Sequence, residues 1–184
     1  SKQYIEKHPV DMIVLATDGV GGISRMVRPS RAQRLARDTK LMTLFIPEGG
    51  RNFVQSATGE VTLRRILVPV DPATDPRPAM ARAVRSAALL DDPSLEITLL
   101  HVGPEREHEN TDVPDLPFCK WNVLQRPGDV VEGILGVAEQ IQADAIYMST
   151  TWSKAGFGKT GRGVTEAVIS GANCPVGAVP VDPI

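Results

Sequence analysis
Apolar residues in this chain come in short runs, each closed by a polar or glycine-bearing stretch. Met12 to Ala16, Met42 to Ile46, Arg65 to Val70, Leu95 to Val102, Cys119 to Gln125, Ala145 to Met148 and Val176 to Val181 read as strands. Runs of this kind suit strands buried on both faces of a parallel sheet. Helical spacing fills the stretches between. Ser30 stands where its hydroxyl caps a helix over Arg31 to Thr39, whose arginines Arg31, Arg34 and Arg37 read as a solvated face. Pro76 or Pro78 opens a helix to about Leu90, with Ala79, Ala83, Ala87 and Leu90 near one side. Asp129 caps a helix over Val130 to Gln142, and Val164 to Ala172 forms another, stopped by Gly171 and Pro175. Residues 1–9 read as the end of a helix. Strands alternating with helices predict an α/β fold with a parallel sheet and right-handed crossovers.

One part of the pattern occurs twice. Val10 to Thr17 matches Ala143 to Thr150 at a single offset, with Asp11 on Asp144, Ile13 on Ile146 and Thr17 on Thr150. Without a gap, Pro47 then falls on Pro180. Strand, loop, helix and strand follow in both copies, which reads as an internal repeat. The division expected is residues 1–47 as the C-terminal part of a first domain, 48–61 as a polar linker, and 62–184 as a second domain.

Composition narrows the function. The chain has 184 residues, a net charge of −2 and 42% hydrophobic residues. Near-neutral charge argues against indiscriminate nucleic-acid binding. No apolar run approaches the roughly 18 residues of a membrane span, and no signal peptide is visible. Ser1 is not an initiator Met, which leaves room for an upstream anchor or partner domain. Cys119 and Cys174 show no disulfide spacing and read as packing residues, so a cytoplasmic location is expected.

Candidate chemistry gathers after the strand at Ala145. The loop to Gly163 holds Gly156, Gly158 and Gly161 with Lys154, Lys159 and Arg162 among them. Glycines let backbone amides approach a ligand, and a helix N-terminus favours an anion. A loop of this kind at the C-terminal end of a strand is where an open α/β sheet binds its ligand. Ser153 to Thr160 resembles a phosphate-binding P-loop, but Ser153 replaces its first glycine and the strand is late in its domain. His8, His101 and His108 are scattered without metal-ligand spacing, and Ser149, Thr150 and Thr151 have no base nearby in sequence.

The strand ending Val68-Pro69-Val70-Asp71, the strand Leu99-Leu100-His101-Val102, the strand from Ala143, and Cys174-Pro175-Val176 together resemble the universal stress protein family. The resemblance implies a five-stranded, Rossmann-like open sheet. Some members bind ATP through Gly, two residues, Gly, nine residues, then Gly-Ser or Gly-Thr. In the first copy those positions are Ala16, Gly19, Pro29 and Ser30; in the second they are Ser149, Trp152, Arg162 and Gly163, followed by Val164. The spacing survives while most of the glycines do not. Trp152 puts a ring where backbone passes a phosphate, and Arg162 or Lys159 offers charge instead. Pro69, Asp71 and Val102 match positions that contact the nucleoside in relatives; structurally, Asp71 also suits a turn, and Pro69 and Val102 suit packing. Pro69 further argues that strand pairing ends there.

Two other departures stand out. The stretch from Val102 to Cys119 is short, acidic and proline-bearing where relatives place a helix, so one sheet face is expected to be less covered, or covered by a partner. The first domain lacks its front, so its strand-helix-strand must pack on something else. In the family the last strands of two domains pair across a dimer or tandem interface; here Met42 to Ile46 and Val176 to Val181 are the candidates. The resemblance implies a non-catalytic stress-response protein acting through homodimerisation by these terminal strands, or through a protein partner, with a degenerate nucleotide site. The alternative is an ATP- or AMP-binding protein with Mg²⁺ and slow ATP hydrolysis.

Overall fold
In the computed structural model the chain is described over residues 10–17, 31–104, 117, 119–151 and 163–181. Seven strands form one sheet: β1 (Met12–Thr17), β2 (Met42–Pro47), β3 (Arg65–Val70), β4 (Glu96–Val102), β5 (Lys120–Arg126), β6 (Ala145–Thr150) and β7 (Val176–Pro180). Among the described residues the helices are α1 (Arg31–Thr39), α2 (Arg77–Leu90), α3 (Val130–Gln140) and α4 (Val164–Gly171). The spatial order is β1-β2-β7-β6-β3-β4-β5. The expected five-stranded parallel sheet is the block from β7 to β5. β1 and β2 pair in parallel with each other, and β2 joins β7 antiparallel through Thr43–Ala178, Leu44–Gly177 and Phe45–Val176. The two terminal strands thus pair within one chain, and the free edges of the described sheet are β1 and β5.

The matched copies keep their geometry as well as their spacing. β6, α4 and β7 fall on β1, α1 and β2 at the same offset, within one residue at each end. One connecting hydrogen bond recurs too: Glu48 N–H donates to Thr17 O at 2.8 Å, and Val181 N–H donates to Thr150 O at 3.0 Å.

Alternation along the strands sorts side chains into two cores. Leu67, Leu100, Ile146, Met148 and Phe45 pack on the face covered by α3 and α4. Ile66, Val68, Ile97, Leu99, Ala145 and Tyr147 pack on the face covered by α2. Neighbouring positions point to opposite faces, so each strand serves both cores. On α2 the buried residues Ala79, Ala83 and Ala87 form a stripe of methyl groups that seats the helix close to the sheet. At α3, Asp129 caps as its position predicts, accepting from Val131 N–H at 2.9 Å and Glu132 N–H at 3.0 Å. The Ser30 cap lies outside the described residues, as do residues 1–9 and the acidic stretch 105–116. Beside β5, Met80, Val84 and Trp121 line a shallow apolar groove on the α2 face.

Two expectations need correction. The stretch 48–61, read as a polar linker, is folded: Val54 and Val61 form an antiparallel bridge, and Gly59 takes φ +75° at the turn. Phe53 packs against the α2 core and Arg51 forks onto Glu139 at 2.9 and 3.1 Å. Phe53, Val54 and Val61 stand among polar residues with no strand-like alternation to mark the bridge. Pro69 does not end pairing outright. Toward β4 the ladder runs on to Val70–His101, while toward β6 it stops at Leu67–Ile146.

Asp144 ties the start of β3 to the start of β6. Its Oδ2 accepts from the backbone N–H of Arg64 at 2.9 Å and of Arg65 at 2.8 Å. Replacing Asp144 with Ala leaves both amides to weak solvation and is expected to cost about 1–2 kcal/mol. Denaturant midpoints of wild type and Asp144→Ala, with Asp144→Asn intermediate, check this.

Both cysteines are buried free thiols. Burial pushes the Cys174 thiol up from its usual value of 9.0 to about 11. The folded state therefore holds this proton more tightly than the unfolded chain. Stability from this group is intact below pH 9 and falls as the pH rises from 9 to about 11, by roughly 2 kcal/mol. Unfolding measured across that range, with Cys174→Ala flattening the slope, tests the assignment. Among the described residues no helix is long and apolar enough to cross a membrane.

Candidate functional site
The chain leaves β3 toward β4 on one side of the sheet and returns to β6 on the other. Crossovers diverge at such a point and leave a crevice beyond the carboxyl ends of the strands. Here the crevice is widened. Pro69 carries no amide hydrogen to offer a neighbour, and β3 and β6 part after Leu67 and Ile146. A cleft of about 390 Å³ opens at this place.

Six residues singled out in the sequence meet around it: Pro69, Asp71, Val102, Ser149, Gly163 and Val164. The other four, Gly19, Ser30, Lys159 and Arg162, lie outside the described residues, as does the P-loop-like stretch Ser153 to Thr160. Pro69 and Asp71 come from the end of β3, Val102 from the end of β4, and Ser149 from the end of β6. Gly163 and Val164 open α4.

Each side chain also has a local task. Asp71 Oδ1 accepts from Ala73 N–H at 3.0 Å, and Thr74 N–H donates to Asp71 O at 3.0 Å, so the acid shapes the turn after β3. Val102 is buried and supports α3 from below. A Cβ on Gly133 would come within 2.7 Å of Val102 Cγ1, so glycine is what lets α3 sit against it. Ser149 Oγ accepts from Ala79 N–H at 3.2 Å, holding an amide of the first turn of α2. At the start of α4, Gly163 N–H donates to Glu166 Oε2 at 3.0 Å. Gly163 has no side-chain oxygen, so it offers no reciprocal cap to the open amides of that turn.

Sequence reasoning assigned no ligand-binding role to several lining residues. Leu100, Ile134 and Met148 make an apolar floor, and Thr150, Thr151 and Glu166 add polar atoms. The available clue was position: Met148 to Thr151 occupies the carboxyl end of β6, where ligands of open sheets sit. Among the described lining residues, Asp71 and Glu166 are acidic and none is basic. At the start of α2, Arg77 is forked onto Asp75 at 2.7 and 2.8 Å. That guanidinium holds the Asp75 carboxyl below its usual range, chiefly through these hydrogen bonds. His101 lies outside the cleft lining, its Nδ1 3.5 Å from Val70 O. No cluster of metal-ligating side chains occurs among the described residues.

No protein-family model matches the chain, and no curated protein matches it. Solved structures do. A universal stress protein from Archaeoglobus fulgidus DSM 4304 superposes with a TM-score of 0.65 over 97% of this chain, at 18% identity. The universal stress protein UspA from Lactobacillus plantarum matches 65% of this chain and 98% of its own, with a TM-score of 0.45 and 19% identity. The present chain spans 63% of the length of the Archaeoglobus protein. With the sheet order and the crevice between β3 and β6, the superposition over nearly the whole chain identifies its fold as that of the universal stress proteins.

Proposed function
We propose that this chain is a tandem universal stress protein whose first unit is represented by β1, α1 and β2. It acts in the cytoplasm as a non-catalytic stress-response or signalling protein, through self-association or a protein partner. The carrying observation is the state of the cleft between β3 and β6. Pro69, Asp71 and Val102, the residues expected to meet a nucleoside, line it. Where a phosphate is expected, Gly163 brings no hydroxyl, Glu166 is turned onto its amide, and the Ser149 hydroxyl accepts from α2, which supports the reading of a degenerate site. A phosphate entering there meets acidic side chains at Asp71 and Glu166. Since β2 and β7 are paired with each other, a homodimer uses another surface.

One observation favours a second reading, ATP or AMP binding with Mg²⁺ and slow hydrolysis. The cleft, at about 390 Å³, sits where open sheets bind ligands, and six residues expected for a nucleotide meet in it. Isothermal titration of ATP and AMP with Mg²⁺ into the purified chain separates the two. The leading reading expects no saturable heat up to about 1 mM nucleotide and no rise in melting temperature. Saturation at one site per chain, lost in Arg162→Glu or Lys159→Glu, establishes the second.

A further inference from the structure
Pairing of β2 with β7 inside one chain occupies both strands, so self-association needs another surface. The outer side of α2 offers one. A helix that packs on a sheet ordinarily turns charged and polar residues to water. α2 turns Ala81, Ala88 and Leu89 outward as well as Arg77 and Arg85, and Leu89 is 78% exposed. Half-buried Val84 joins them to the groove of about 360 Å³ at Met80 and Trp121. Val123, two positions along β5 from Trp121 and so on the same face, is 52% exposed. Apolar surface thus runs from the helix across the groove to the strand.

The order of residues along this side is self-complementary. Arg77, Ala81, Val84, Ala88 and Asp91 follow at spacings of four, three, four and three, which sets them on one stripe of the helix and its cap. A cation stands at one end, an anion at the other, and small apolar residues lie between. Arg77 forks onto Asp75 through Nε and Nη2, which leaves Nη1 for another acceptor. Asp91 is exposed at the end of α2. Laid antiparallel, with Ala81 against Ala88 of a second copy, the stripe brings each Arg77 to the other copy's Asp91. Laid parallel, it sets like charges together. Alanines at the crossing let the helix axes approach to about 8 Å. Arg85 lies beside the crossing, and its long stem carries the charge to water. A net charge of −2 adds little repulsion between copies.

We propose that the outer side of α2 and the groove beside it are the face on which two copies of this chain associate, about a two-fold axis near Val84. The α2 helices run antiparallel, every contact occurs twice, and Val84, Leu89 and Trp121 of both copies lose exposure. Apolar burial supplies the affinity, while the Arg77–Asp91 pairs fix the direction. The inference rests on the self-association reading and not on what the cleft holds.

Sedimentation equilibrium of the intact chain tests it. A surface of one helix pair lies at the small end of specific interfaces, so a monomer–dimer equilibrium with a dissociation constant of roughly 1–100 µM is expected. Ala81→Glu places a carboxylate at the crossing. It is expected to weaken the dimer at least about tenfold while leaving the melting temperature of the dilute monomer unchanged. Arg77→Asp and Asp91→Arg each weaken it several-fold, and the two together in one chain restore it, because the pairs are then reversed rather than lost. A dimer unaffected by Ala81→Glu, or one that the double charge reversal does not rescue, overturns the proposal and leaves self-association standing through another face. A chain that stays monomeric up to about 1 mM overturns both, and the protein-partner form of the reading remains. Should the charge variants not fold, oxidation of Ala81→Cys chains mixed with Ala88→Cys chains decides. Cross-linking above that of either variant alone supports the antiparallel face, and none overturns it.

Discussion
The union of this sheet's two parallel blocks hangs on three residue pairs. Thr43–Ala178, Leu44–Gly177 and Phe45–Val176 form the antiparallel contact that joins two parallel blocks into one structure. Parallel strands need crossovers, and a block of two strands with one helix cannot bury its own apolar faces. The β2–β7 contact solves this by lending β2 both cores of the larger block. Phe45 enters the α3–α4 side and Leu44 the α2 side. On its other flank β7 is close-packed against β6, because the Tyr147 ring lies where a side chain at Gly177 would stand. Arg51 adds a second fastening by reaching Glu139, and its N–H donates to Asn173 O at 2.6 Å.

The cleft follows from the opposite behaviour, a contact that stops early. β3 is bound to β4 along its whole length but to β6 only at its start. Asp144 pins that start, and the absent amide of Pro69 loosens the end. The two strands therefore diverge like the arms of a wedge, and the turn built by Asp71 and the first residues of α4 close over the gap. Packing and binding are not separate here. Val102 supports α3 while lining the cleft, and Ser149 holds α2 while facing it. A ligand site whose walls are also structural ties rests on fixed side chains rather than on induced ones.

What was legible in the sequence depended on range. Strand β6, the alanine stripe of α2 and the Asp129 cap are local patterns, and they stood in the sequence as they stand in the fold. The shared order of strand, helix and strand at residues 12–47 and 145–180 was legible because the offset between them is free of gaps. The pairing of β2 with β7 followed from the family resemblance, but whether it ran within one chain or between two did not. The bond from Ala79 to Ser149 spans seventy positions and leaves no local mark. The hairpin at Val54 and Val61 was hidden because its apolar residues are few and its function is to pack Phe53 and place Arg51. For the cleft, the residues at the ends of β3, β4 and β6 were found, whereas the floor at Leu100, Ile134 and Met148 looked like ordinary core.

The β2–β7 contact also orders events in time. The second unit can assemble from neighbouring elements, each crossover closing a modest loop. Joining Thr43 to Ala178 instead closes a segment on the order of 130 residues, and loop entropy is lost before that pairing returns anything. The unit of β1, α1 and β2 therefore docks last, onto a block already formed. On the ribosome the order of synthesis is reversed. β2 is made on the order of 130 residues before β7, so its edge toward β7 waits for a partner that comes later.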